Sequence, residues 1–345
     1  MAAVSYLRNP ALPIVRPGYP GNKLFGAEFA NGDVLFEPEL STVLRWQLTE
    51  NPQKAEKKAD GWAPDVVDGT AFLKGTAEGL VWLGHATFAL RIGGRTLLFD
   101  PILFSSFGLK RRHALPCRPE DLTGIDLLLL SHGHRDHLDE QSIKLLAQQN
   151  PAMQVLSSLR MAPLLRSMAP KLRVQEAGWW QQYELSSLGA DLPFEIYYLP
   201  ASHWHRRGLL DMNRVLWGSF LIRVKAHGEA AERLIYFAGD TSYGPHFEQI
   251  EQQFGPLDLV LMPIGAYKPA FMMQHSHVNP QEAAKGANVL RAGHLVPLHH
   301  GTFDLSDEPA SEPLRLLQAT AAAGNLRAAL HAPAVGEVLR WRDMR

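Results

Sequence analysis

The sequence holds a single cysteine, Cys117, in 345 residues, so no disulfide can close within the chain. That fits a reducing compartment. Long hydrophobic runs are missing as well: no stretch approaches the roughly 20 apolar residues needed to cross a bilayer. The N-terminus, Met1 to Arg8, has no basic segment followed by an apolar one, so no secretory signal is read there. Net charge is nearly absent, −1 at pH 7 with neutral histidines. A chain this balanced has no global field for nucleic acid and carries no basic arm, which speaks against a nucleic-acid partner. The expectation is a cytoplasmic protein, at most peripheral to a membrane.

What is present suits a globular protein with a substantial buried core, with 46% hydrophobic and 20% charged residues. The first 75 residues read differently from the rest. Pro10, Pro13, Pro17-Gly18, Pro20-Gly21 and Asn31-Gly32 are turn signals packed too closely for long elements. A short amphipathic helix is expected over 40–48, and the charged stretch 54–60 reads as a solvated connector. Residues 1–75 are therefore expected to form an extension that packs on a main domain of residues 76–345. From Gly79 the texture becomes short apolar runs separated by turns. Strands are expected near 81–83, 88–92, 96–99, 127–130, 194–199, 217–224, 234–238, 257–263 and 294–298. Helices are expected near 139–149, 162–168, 245–254, 280–290 and 312–323. Blocks of strands without strict βαβ alternation predict an α/β chain with two sheets and helices outside.

The strongest chemical signal is Ser131-His132-Gly133-His134-Arg135-Asp136-His137. Four potential ligands in six positions directly follow an apolar strand, a rigid place for a metal site. Neutral imidazole and carboxylate both bind zinc, at about 2.0–2.2 Å. On an extended backbone His132 and His134 point the same way, and Asp136 and His137 begin the next turn. Fifteen histidines make coincidence worth weighing. By composition, such a pattern arises by chance on the order of a few times in a thousand chains. His203, Asp240 and His299 each follow a predicted strand. Together they supply the ligands that a two-metal site lacks in the tetrad.

The order His-x-His-x-Asp-His, then His, then Gly-Asp-Thr, then His resembles the metallo-β-lactamase superfamily. One branch is closer still. Trp82-Leu83-Gly84-His85-Ala86-Thr87, Asp100-Pro101, Leu216-Trp217-Gly218-Ser219 and Phe237 to Thr241 are similar to N-acylphosphatidylethanolamine-hydrolysing phospholipase D and its bacterial relatives. So are Pro263 to Tyr267, His277 to Pro280 and His299 to Phe303. The resemblance implies a four-layer αββα sandwich with two divalent metal ions, zinc before manganese or iron. It implies His132, His134 and His203 on the first ion, Asp136, His137 and His299 on the second, and Asp240 bridging both. The sole cysteine matches no ligand position, which separates the chain from β-lactamases of this fold that use one.

The implied chemistry is phosphodiester hydrolysis by a hydroxide shared between the metals, with a phospholipid or other phosphodiester as substrate. Asp136 belongs to the catalytic set, and His277 would orient the phosphate or protonate the leaving alcohol. His85 and Asp100 are expected to hold ligands in place. Tyr267 and His300 are placed beside substrate or ligands; where the animal enzyme has tryptophan, this chain has His300. Trp46, Leu44 and Leu48, with Phe271-Met272-Met273, are candidates for an acyl groove. Lys110-Arg111-Arg112 and Arg206-Arg207 are candidates for contact with phosphate or an anionic membrane. The competing readings are a lactonase, a small phosphoester or sugar-phosphate hydrolase, and a non-enzymatic metal-binding scaffold.

Overall fold

The computed structural model describes residues 4–340 apart from 33, 36–39, 106–107, 190 and 227–230. Leu127–Leu130 shows how sequence becomes architecture. Four consecutive leucines alternate sides on a strand. Leu127 and Leu129 enter one apolar cluster with Trp82, Phe88 and Phe99. Leu128 and Leu130 enter another with Ile143, Leu146 and Leu165 from the covering helices. This strand, buried on both faces, carries no polar side chain, and its parallel neighbours, Arg95–Phe99 and Gln154–Ser158, flank it.

This strand sits inside one seven-stranded mixed sheet, and a second seven-stranded mixed sheet faces it. Phe99 meets Phe237 of the second sheet at 4.8 Å between ring centres, and Phe88 meets the same ring edge-on at 6.5 Å. Helices Glu140–Gln149 and Ala162–Met168 pack on the first sheet. Helices His246–Phe254, Pro280–Val289 and Glu312–Ala322 pack against the second through Phe247, Ile250, Ala283, Ala287 and Leu317. The four layers are those the sequence led us to expect. No helix among the described residues is long and apolar enough to cross a membrane.

Three short strands, Val4–Leu7, Asn22–Phe25 and Glu28–Phe29, form a separate antiparallel sheet in the N-terminal extension. Its Leu24 and Phe29 join the main core. The Gln181 side chain fastens Asn9, accepting from its N–H at 2.9 Å and donating to its carbonyl at 2.7 Å.

Residues 54–60, expected as a charged, solvated connector, hold the short helix Lys54–Ala59, none of whose residues is buried, and Lys57 pairs with Asp304 at 2.6 Å. Strands Gln154–Ser158 and Arg173–Ala177 went unread. The first carries only two apolar residues, with both serines buried, and the second is a polar edge strand. Pairing with a neighbour, which local pattern does not reveal, makes them strands.

Candidate metal centre

His132, His203, Asp240 and His299 follow the C-terminal ends of four strands, one from the first sheet and three from the second. After Leu130 the chain turns, with Leu138 N–H donating to the His134 carbonyl at 2.8 Å, and Asp139 caps the next helix. Gly133 is required there because a Cβ would stand 2.4 Å from Nε2 of His205. Gly239, at φ 59°, lets Asp240 leave its strand against Ser131.

Two groups of side chains converge. In the first, Nε2 of His132 lies 3.0 Å from Nδ1 of His134, and Nε2 of His203 lies 3.1 Å from the same atom. Ring nitrogens around a tetrahedral zinc, each about 2.0–2.1 Å from it, stand ~3.3 Å apart. The Nδ1–H of His203 donates to the Ser276 carbonyl at 2.9 Å, which leaves Nε2 as the free lone pair. In the second group, Asp136 Oδ2 lies 3.3 Å from Nε2 of His299, 3.8 Å from Nε2 of His137 and 3.4 Å from Nε2 of His85. Asp100 accepts from Nδ1 of His137 at 2.8 Å and is itself fixed by Ser131 through N–H and Oγ.

Asp240 lies between the groups. Its Oδ2 is 3.1 Å from His137 and 3.2 Å from His299, and 3.9 Å from both His132 and His203. Its Oδ1 is buried without a hydrogen-bond partner. A buried carboxylate oxygen with no donor is costly, and a cation between the groups satisfies it. Charge favours the same conclusion. Burial, then the neighbouring imidazoles, holds His132 and His134 well below the usual histidine value, and burial takes His203 to about 3. These three are neutral, the form that binds metal. Burial opposes charge on His137 and His299 too, yet Asp240 and Asp136 hold the first well above its usual value and the second at about 9. Burial likewise opposes ionisation of Asp136 and Asp240, while His137 and His299 keep both carboxyls well below theirs. The residues present fit divalent cations.

A cavity of about 290 Å³ opens onto these groups. Its walls include His277, Trp204, Met272, Met273, Arg135 and Arg206. His277 places Nδ1 3.9 Å from Asp240, and burial lowers its pKa to about 4. Met272 and Met273 reach the cavity, whereas Leu44 and Leu48 are 48% and 85% exposed and do not line it. Tyr267 donates its hydroxyl to Glu312. His300 is buried, stacked between Trp82 at 5.0 Å and Trp62 at 6.3 Å.

Several contributors escaped the sequence reading. Asn31, in the extension, donates from its side chain to the His203 carbonyl at 2.8 Å. Thr302 Oγ1 accepts from the His85 N–H at 2.6 Å. Nothing local to Asn31 signals this role. Ser131, between strand and tetrad, is the one whose position could have given it away.

Two facing mixed sheets, with histidine and aspartate gathered at the strand ends, define a metallo-hydrolase of the β-lactamase fold. The chain belongs to the metallo-β-lactamase superfamily: the family described as "Beta-lactamase superfamily domain" matches residues 95–300. It is 31% identical to N-acyl-phosphatidylethanolamine-hydrolyzing phospholipase D 1 of Caenorhabditis elegans, over 86% of this chain and 88% of that protein. It is 29% identical to a UPF0173 metal-dependent hydrolase of Aeropyrum pernix, over 65% of this chain and 83% of the other. The metallo hydrolase Igni18 of Ignicoccus hospitalis shares the fold, with TM-score 0.57 and 18% identity over 75% of this chain and 96% of its own. The protein is a metal-dependent hydrolase.

Proposed function

We propose that this hydrolase is a binuclear phosphodiesterase of phospholipase D type, acting on N-acylphosphatidylethanolamine-like lipids. His132, His134 and His203 would hold the first ion, Asp136, His137 and His299 the second, with Asp240 shared between them; zinc suits this donor set. The observation that carries the reading is Asp240, whose Oδ2 stands within 3.9 Å of imidazoles from both groups. Two such ions, when bound, supply an activated water and neutralise charge on the phosphoryl oxygens.

The chain does the rest. His85 and Asp100 set the orientation of Asp136 and His137. His277 stands in the cavity to carry a proton to the departing alcohol, the negative charge of the phosphate offsetting the burial that keeps it neutral. Arg135 and Arg206 at the cavity wall pair with phosphate, and Met272, Met273 and Leu305 receive apolar chain. The lipid assignment is supported by the nematode relative and these apolar walls. A second reading, a small phosphoester hydrolase, is favoured by the cavity's volume of about 290 Å³, modest for a lipid.

The test is a split substrate panel with metal-reconstituted protein. One arm holds N-acylphosphatidylethanolamine and simple phospholipids; the other holds bis-p-nitrophenyl phosphate, a lactone and a cephalosporin. Lipid turnover that disappears with chelator and with Asp240→Asn supports the phospholipase. Turnover of the small phosphodiester alone keeps the two-metal chemistry and removes the lipid. Lactone turnover without phosphodiester turnover overturns both readings.

A further inference from the structure

The loop that begins at His203 passes through the cavity wall at Trp204 and Arg206 and ends in two bare leucines. Leu209 and Leu210 are each 87% exposed. Scattered exposed leucines are ordinary. An adjacent pair at the tip of a loop that cannot fold back is different, because its exposure is built in.

Three sets of bonds fix this loop. At its base, Asn213 N–H donates to the His205 carbonyl at 2.7 Å, and His205 N–H donates to Asn213 Oδ1 at 3.1 Å. Inside it, the Asp211 carboxylate accepts from the N–H groups of Arg207 at 3.1 Å and Gly208 at 2.8 Å. Across to the tetrad, the Arg207 guanidinium donates to the carbonyls of Gly133 at 2.9 Å and Leu138 at 2.8 Å. The turn is therefore tied to the same backbone that carries His132 to His137. Exposed Arg206 and Arg214 flank the tip, and the loop's one carboxylate, Asp211, is taken up by backbone amides. Glu140, on the adjoining helix, is paired with Lys144 at 2.5 Å. Apolar tip and cationic flanks complement one surface, an interface of acyl chain beneath anionic headgroups.

We propose that the loop from Arg206 to Arg214 is an interfacial anchor. It inserts Leu209 and Leu210 into an anionic lipid bilayer and holds the mouth of the cavity at the membrane surface. The proposal rests on the lipid reading above and deepens it: the substrate is drawn from a bilayer rather than from solution. Arg207 makes the anchor and the tetrad one rigid unit, so seating the tip fixes the cavity over the headgroups.

The experiment is sedimentation of the metal-loaded full chain with vesicles of phosphatidylcholine, with and without phosphatidylglycerol. A Leu209→Ser, Leu210→Ser double variant is compared with the parent. Both positions are exposed, and melting temperature checks that the variant folds. We expect the parent to partition onto the mixed vesicles and only weakly onto phosphatidylcholine alone. The variant should lose partitioning by about tenfold or more for each leucine, from the apolar area left in water. Its turnover of soluble bis-p-nitrophenyl phosphate should match the parent's. Equal partitioning of the two proteins overturns the anchor. So does a fall in solution mass from dimer to monomer with vesicle binding unchanged, since the leucines would then meet a second copy of the chain. Intact vesicle binding by a parent that hydrolyses no phosphodiester sinks the proposed activity and leaves the anchor standing.

Discussion

The two halves of the centre use the same side chain to opposite effect. His132, His134 and His203 face one another with a carboxylate only at 3.9 Å, and burial keeps all three neutral. His137 and His299, just as buried, have Asp136 and Asp240 against them and favour the charged form. The residue type does not decide the protonation state; two carboxylates at close range do, since His85, with Asp136 alone at 3.4 Å, is lowered by burial to about 3. The first half is a neutral nitrogen cradle, and the second is a negative pocket that takes a proton where a divalent ion would otherwise sit.

The sharpest way to break this contrast is Asp240→Asn, which removes charge from both halves. Activity should fall by at least about a hundredfold, and bound metal, counted by plasma emission, should fall below that of the parent. Retention of full metal and activity would mean that the halves do not share a bridging carboxylate.

Asp100→Asn strikes the second half directly, by loosening His137, and the first only through Ser131, which joins Asp100 to His132. Metal affinity in the second half should drop by about 10–100-fold, and in the first by less, in a competition titration against a zinc indicator. Equal weakening of both sites would show that the halves are not separable.

The charge contrast also gives a dependence on pH in chelated protein. The folded pKa of His299, about 9, stands above the ordinary 6.5. The stabilising contribution of that group is therefore complete below the lower value and is lost as pH rises through the upper one. The melting temperature of metal-free protein should decline through that window, while metal-loaded protein should not follow it.

The smallest effect concerns the stack behind His299. His300→Phe keeps a flat ring between Trp62 and Trp82, whereas His300→Ala does not. The alanine variant should lose about 1 kcal/mol or more in urea unfolding, and the phenylalanine variant less. If His300→Phe abolished activity with the fold intact, His300 would act on substrate rather than by packing.

The candidate metal ligands could be picked out because His132, His203, Asp240 and His299 each follow the end of a strand. Leu127–Leu130 and Phe194–Leu199 are apolar enough to be read as strands, and the polar residues just past them, His132 and His203, stand out by contrast. Gln154–Ser158 offered no such contrast, since the neighbouring strands rather than its own residues make it a strand. The motif around Tyr267 gives its place in the chain and not the direction of its side chain. Its hydroxyl donates to Glu312, 45 residues along, a partnership that no local pattern reveals.

Composition, strand periodicity and the His-x-His-x-Asp-His spacing by themselves determined the two-sheet α/β class and which histidines to suspect. These are local properties, and local chemistry fixes them. Only the tertiary structure decided that Asp240 stands between the two histidine groups, that Asn31 from the extension supports His203, and that His300 is packed away from the cavity. Such facts depend on which strands pair and which rings close over which, and contacts made between distant segments are written in no single stretch of chain.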